Sequence, residues 1–157
     1  MKCLIFSDSH GDSRNMCEAI SRNPDAEVIF FLGDGLADAD RIALRGGTRA
    51  WLPVAGNCDH SPIFKDSLVR KTETINLSGQ RIVYTHGDLY GVKYGMGGAL
   101  RLAVETSATI VLFGHTHEPC EHYENGVYLF NPGSIAAGSF GVMLLSESGV
   151  LLSHGNL

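Results

Sequence analysis

Apolar residues fall along this chain in short, nearly unbroken runs: Lys2 to Phe6, Val28 to Leu32, Trp51 to Val54, Arg81 to Tyr84 and Thr109 to Phe113. Runs of this length, bounded by Gly, Asp, Asn and Pro, read as strands buried on both faces. Helical spacing separates the first three. Asp12 or Ser13 can cap a helix reaching about Arg22, with Met16, Ala19 and Ile20 on its inner side. Leu36 to Leu44 reads as a second helix closed by Gly46-Gly47. The first half is therefore a βαβαβ unit with parallel strands.

The second half alternates differently. Glu73 to Leu77, a Ser78-Gly79 turn and Arg81 to Thr85 form a hairpin, and a helix runs from about Met96 to Glu105. Glu121 to Glu124 and Val127 to Phe130 flank Asn125-Gly126, a strong two-residue hairpin signal, while Gly141 to Leu145 and Val150 to His154 suggest another. Two packed sheets with outer helices follow.

Candidate metal ligands stand where the buried strands end: Asp8-Ser-His10, Gly33-Asp34, Gly56-Asn57, His86-Gly87 and Gly114-His115-Thr-His117. Side chains just past the carboxyl ends of neighbouring strands converge in one crevice. Three carboxyl or amide oxygens and four imidazoles are enough for two ions. Oxygen and neutral imidazole donors without a thiolate pair suit Mn²⁺, Fe²⁺, Zn²⁺ or Ni²⁺ better than Ca²⁺ or a cysteine-based zinc knot. Two such ions about 3.5 to 4 Å apart can share one carboxylate and clamp a phosphoryl group during in-line displacement. Asp34 is the residue chosen for that bridge. His115 and His117, two apart, can approach both ions from one extended turn, whereas a helix would need a spacing of three or four.

The ordered blocks D-x-H, G-D, G-N, H-G and G-H-x-H resemble the calcineurin-like metallophosphoesterases. The likeness spans Met1 to about Ser134 and is nearest the small single-domain phosphodiesterase branch, with Cys58-Asp59 after Gly56-Asn57 and the segment Asn131-Pro-Gly-Ser134. It implies a four-layer α/β/β/α sandwich of two mixed sheets, an α/β fold. It also implies that Asp8, His10 and His117 hold one metal, that Asn57, His86 and His115 hold the other, and that Asp34 touches both. Asp34 and Asn57 are the residues assigned to catalysis. The implied cofactors are two divalent ions, Mn²⁺ first, with Ni²⁺, Fe²⁺, Zn²⁺ or Mg²⁺ as alternatives. The implied reaction is hydrolysis of a small phosphodiester by a metal-bridging hydroxide, with no covalent protein intermediate.

Cys58 departs from the many relatives that carry His after Gly-Asn, placed to assist the leaving group. A thiol is a poorer proton donor to an alkoxide, so acidic leaving groups and diesters are expected to be preferred. Asp59 and His60 could supply a substitute acid, orient Asn57, or form a solvated turn before Pro62. Gly91 to Gly98, carrying Lys93, Tyr94 and Met96, reads as a loop before a helix or as a flap over the metals. Ser134 reads as part of a tight turn near the site, and His122 and His154 as surface or packing residues.

Composition narrows the partners. The 157 residues suit a single domain, 1–157, and a 44% apolar, 18% charged chain is an ordinary globule without repeats or low-complexity runs. No apolar stretch approaches a membrane span, and the N-terminal strand already carries the first ligands, so no signal peptide and no membrane partner are expected. Cys3, Cys17, Cys58 and Cys120 lack C-x-x-C pairing, which suits reduced thiols and a cytoplasmic home. The net charge of −5 would be largely cancelled by two divalent cations, and the absence of basic clusters argues against extended nucleic acid. A small phosphoester substrate fits better. The alternative of another class is a protein-interaction scaffold of the same fold, as in a retromer subunit, with Val142 to Leu152 as a possible interface and a homodimer or homotetramer plausible. A nuclease ranks lower, since the chain has no room for added DNA-binding segments.

Overall fold

The computed structural model describes residues 1–45, 47–59 and 69–157, so Gly46 of the expected helix stop, His60 and Pro62 lie outside the described residues. Ten strands and three α-helices follow in the order β1 (Lys2–Phe6), α1 (Arg14–Arg22), β2 (Val28–Phe31), α2 (Leu36–Ala43), β3 (Ala50–Pro53), β4 (Thr72–Leu77), β5 (Gln80–Thr85), α3 (Gly97–Thr106), β6 (Ile110–Leu112), β7 (Pro119–Glu124), β8 (Val127–Pro132), β9 (Ser139–Ser146) and β10 (Gly149–Asn156) among the described residues.

Both sheets are mixed and five-stranded, ordered β10-β9-β1-β2-β3 and β4-β5-β6-β8-β7. In the first, β1, β2 and β3 run parallel, as the βαβαβ reading requires, and β9 and β10 add antiparallel to β1. In the second, β5, β6 and β8 are parallel, with β4 and β7 antiparallel at the edges.

Strand alternation explains the unbroken apolar runs. Cys3, Ile5, Val28, Phe30 and Leu32 face Ile82, Tyr84, Ile110, Leu112 and Phe130 in a core between the sheets. The intervening residues Leu4, Phe6, Ile29 and Phe31 pack outward on Met16 and Ala19 of α1 and on Leu36 and Ala39 of α2. Val83, Val111, Phe113 and Leu129 likewise pack outward on Ala99, Leu102 and Ala103 of α3. Three apolar interfaces separate four layers, the α/β/β/α sandwich expected. At about 1.5 to 3 kcal/mol for each fully buried large apolar side chain, these interfaces fix the strand ends against one another.

The first helix starts and ends where expected, and Asp12 rather than Ser13 supplies the side-chain cap. Helix α1 begins at Arg14, and the Ser13 side chain makes no cap bond. The Asp12 carboxylate instead takes the Arg14 backbone N–H at 3.1 Å and its guanidinium at 3.0 and 2.7 Å. Strands β9 and β10 are eight residues each, longer than the alternation suggested, because every residue from Ser139 to Ser146 finds a register partner. Both expected tight turns form with left-handed residues, Ser78-Gly79 at φ 47° and 77° and Asn125-Gly126 at φ 52° and 83°.

Candidate metal centre

All five candidate segments meet at one rim, at the carboxyl ends of β1, β2, β5 and β6 and just past β3. Their backbone is unusual. Asp8, His10, Asp34, His115 and His117 all adopt left-handed φ, between 47° and 69°. Each such residue costs roughly 1 to 2 kcal/mol relative to right-handed backbone, although Asp and His tolerate it better than most. Strain of this kind gathers at functional sites when surrounding bonds over-determine it. Here the Asp8 N–H donates to the Gly33 carbonyl at 3.0 Å, the His10 N–H to the Asp34 carbonyl at 3.1 Å, and the Ser134 hydroxyl to the Asp8 carbonyl at 2.8 Å.

Two glycines are sterically required. A Cβ at Gly56 would overlap the Asp34 carboxylate, and one at Gly114 would overlap the Ser7 hydroxyl. Loops from different strands therefore cross at backbone contact, which brings their side chains together.

Asp8, His10 and His117 gather on one side: His117 Nε2 lies 3.2 Å and His10 Nε2 3.7 Å from Asp8 Oδ1, and the two Nε2 atoms are 3.2 Å apart. On the other side, His86 Nε2 lies 3.1 Å from Asn57 Oδ1 and 3.1 Å from His115 Nδ1. Asp34 lies between: its Oδ2 is 3.4 Å from His86 Nε2, and it forms compact donor groups both with Asp8 and His86 and with His10 and Cys58. All seven residues named from the sequence thus converge.

The protonation pattern is set by fixed partners. His86 Nδ1 donates to the Leu32 carbonyl at 2.8 Å, because a carbonyl only accepts, and this bond turns Nε2 into the rim. Burial alone would raise the Asp34 pKa, but the His86 contact and the Cys58 N–H, donating at 2.7 Å, outweigh it and hold the carboxyl well below its usual range. Burial likewise works against a charged His86, and the neighbouring Asp34 and Asp8 carboxylates reverse that and raise it. His115 is lowered by burial and by the positive charge of His86 and Lys93. The Cys58 thiol is pushed up by its hydrogen bond to Asp34, so it stays protonated near neutral pH.

One atom tests whether this donor set suits a cation. Asp8 Oδ1 is fully buried and accepts no hydrogen bond among the described residues, a costly state for a carboxylate oxygen, and it faces the ring nitrogens of His10 and His117. An oxygen left without a donor and ringed by imidazole nitrogens fits a divalent ion.

Sequence reasoning missed the supports. Asp59 is neither a free acid nor a solvated turn residue: its carboxylate accepts the backbone N–H groups of Asp34 (2.8 Å), Gly35 (2.9 Å), Leu36 (3.0 Å) and Gly56 (2.8 Å), tying two ligand loops together and capping α2 from outside it. Buried Asp38 accepts from the Ser9 hydroxyl at 2.6 Å and the Gly11 N–H at 2.9 Å, bracing the His10 loop. Its signal was present, an acid beside the inner face set by Leu36 and Ala39. Asn131 Nδ2 donates to the Gly114 carbonyl (2.8 Å) and Thr116 Oγ1 (2.9 Å), so the Asn-Pro-Gly-Ser segment holds the His115 to His117 turn. His154 stacks on Phe130 and donates to the Asn131 carbonyl at 2.8 Å, while His122 pairs with Glu124 at 3.0 Å. Lys71 had no sequence signal; its ammonium donates to the Gly56 carbonyl at 2.6 Å and faces Asp88 at 3.6 Å.

Known proteins resemble this chain in sequence and in fold. The model of the calcineurin-like phosphoesterase superfamily domain matches residues 1–150. The chain belongs to that superfamily. It is 32% identical over 135 residues to the probable metallophosphoesterase YsnB of Bacillus subtilis, covering 86% of this chain and 75% of that protein. It is 27% identical to the phosphodiesterase YfcE of Escherichia coli, covering 87% and 80%. Vacuolar Protein Sorting 29 from Cryptosporidium parvum shares the fold, with a TM-score of 0.78 at 18% identity over 99% of this chain and 98% of that one. Membership of a superfamily of phosphoesterases that use divalent metals supports hydrolase activity. Among the described residues, no helix is long and apolar enough to cross a membrane.

Proposed function

We propose that this rim binds two divalent cations and hydrolyses small phosphodiesters. Asp8, His10 and His117 would hold one ion, Asn57, His86 and His115 the other, and Asp34 would bridge them, with Mn²⁺ the first choice. Bound there, two such ions would supply acidified water and the positive charge that phosphoryl transfer needs. The single observation that carries the reading is Asp8 Oδ1, buried, without a hydrogen-bond donor and facing two imidazole nitrogens.

The chain's own residues do the rest. The Leu32 carbonyl holds the His86 Nδ1 proton, so Nε2 is the nitrogen that would meet a cation once deprotonated, and Asp34 is kept ionised by His86 and the Cys58 N–H. Asn57, beside His86, offers a neutral oxygen that needs no deprotonation. The protonated Cys58 thiol sits at the rim with Asn57 Nδ2 donating to it at 3.3 Å. As a weak acid it gives little help to an alkoxide, which favours diesters with acidic leaving groups over alkyl monoesters.

Metal-stripped protein refilled separately with Mn²⁺, Ni²⁺, Zn²⁺ or Mg²⁺ is assayed on bis(p-nitrophenyl) phosphate and p-nitrophenyl phosphate, beside Asp34→Asn. Diester turnover restored by a transition metal and lost in the variant supports the reading. Two ions bound per chain with no turnover would transfer it to the interaction scaffold, which the exposed Leu144 and Leu151, paired across β9 and β10, would serve.

A further inference from the structure

Beside the rim lies a groove of about 520 Å³ that the metal ligands do not use. Its wall is continuous with the candidate centre, because Thr116, which lines it, stands between His115 and His117 and is pinned by Asn131 Nδ2 at 2.9 Å. Phe113 and Val92 form a buried apolar floor, with Met96 and Pro119 beside them. Lys93 and Glu118 stand exposed at the margin.

A phosphoryl group alone would not need this space. The volume lies in the range of organic-ligand pockets, which are lined mainly by apolar side chains with a few polar groups that set orientation. Methionine is soft and unbranched, and it adapts well to a flat ring. Lys93 and Glu118 offset one another in charge at the margin, so the margin favours neither sign of ligand charge, and the apolar floor favours an uncharged body.

We propose that this groove is the subsite for one organic arm of the diester, an uncharged, flat, apolar ester group of aryl or heteroaryl character, with the phosphoryl end directed to the rim. The orientation rests on the phosphodiesterase reading, while occupancy of the groove does not. The specificity-determining residues are then Met96 and Val92, outside the ligand loops.

The test is a methyl-resolved NMR titration of the chain with Zn²⁺, a diamagnetic ion, using 2-naphthyl methyl phosphate and dimethyl phosphate as probes. The naphthyl ester should perturb the Val92 and Met96 methyl signals and bind roughly tenfold tighter, given the apolar area it buries. Met96→Trp, which fills the groove, should erase that preference; Met96→Ala, which adds no bulk, should reduce it and serves if the first variant does not fold. Equal affinity for the two probes, or perturbations that bypass Val92 and Met96, would overturn the proposal. Hydrolysis of bis(p-nitrophenyl) phosphate by the Mn²⁺-loaded chain separates the two ideas. Selective naphthyl binding without turnover keeps the groove and discards the phosphodiesterase reading; turnover without naphthyl preference does the reverse.

Discussion

On the inner side of the rim, Asp8, Asp34 and His86 are buried and nearly every donor and acceptor is fixed by the protein; on the outer side, the His10 and His117 side chains are 37% and 50% exposed and meet chiefly each other and Asp8. The inner residues belong to the fold as much as to the site. His86 bonds the end of β2, and Asp34 is gripped by the loop after β3. The outer histidines contribute to the fold mainly through left-handed backbone, which their neighbours must hold in place. The inner half is preorganised and the outer half is free to close on a cation.

The largest effect should separate these halves by stability. His86→Ala leaves the Leu32 carbonyl and the Asp34 carboxylate without their buried partner, which costs about 1 to 3 kcal/mol. Diester turnover should also fall by more than the roughly 10- to 100-fold typical of losing an outer partner of a metal ligand. Denaturant unfolding of the metal-free chain beside the kinetic assay checks both. His117→Ala should lower turnover and the affinity for one ion while leaving metal-free stability within about 0.5 kcal/mol. Equal destabilisation by the two variants would break the comparison.

Asp59→Ala removes four backbone bonds, one of them to Asp34, while leaving every proposed ligand side chain in place. It should cost about 1 to 2 kcal/mol, the scale of a lost helix cap, and weaken metal binding roughly 10- to 100-fold. Thermal melts and metal titrations would show it, and unchanged metal affinity would mean that the loops hold themselves. The smallest effect is on pH dependence. Asp34 has a folded pKa below its unfolded value, so its contribution is present above about pH 4 and fades as pH falls through the folded value. His86 is raised, so its contribution is present below about pH 6.5 and fades as pH rises through the folded value. The metal-free chain should therefore gain most from this pair between about pH 4 and 6.5, and His117→Ala should preserve that window in melts across pH.

The sandwich was legible because burial on both faces leaves continuous apolar runs, and the hairpins because Ser78-Gly79 and Asn125-Gly126 demand left-handed turns. The seven candidate residues were legible as polar interruptions at strand ends. Their supports were not. Asp59 stayed open between a substitute acid, an orienter of Asn57 and a solvated turn, because a single chain does not reveal that three amides from the Asp34 loop will join that of Gly56 around its carboxylate. Lys71 acts across loops distant in sequence, where neither periodicity nor turn chemistry carries information, and for Asp38 the helix pattern marked an acid beside the inner face without marking its partners Ser9 and Gly11. The same applies to the left-handed φ of the ligand residues, imposed by loop crossings at Gly56 and Gly114.

The most direct measurement is the electron paramagnetic resonance spectrum of the chain loaded with Mn²⁺, read with the metal content per chain. Two ions bridged by Asp34 predict two Mn²⁺ per chain and an exchange-coupled spectrum that reverts to isolated ions in Asp34→Asn. One ion per chain, or an uncoupled spectrum at full loading, would contradict the dinuclear centre.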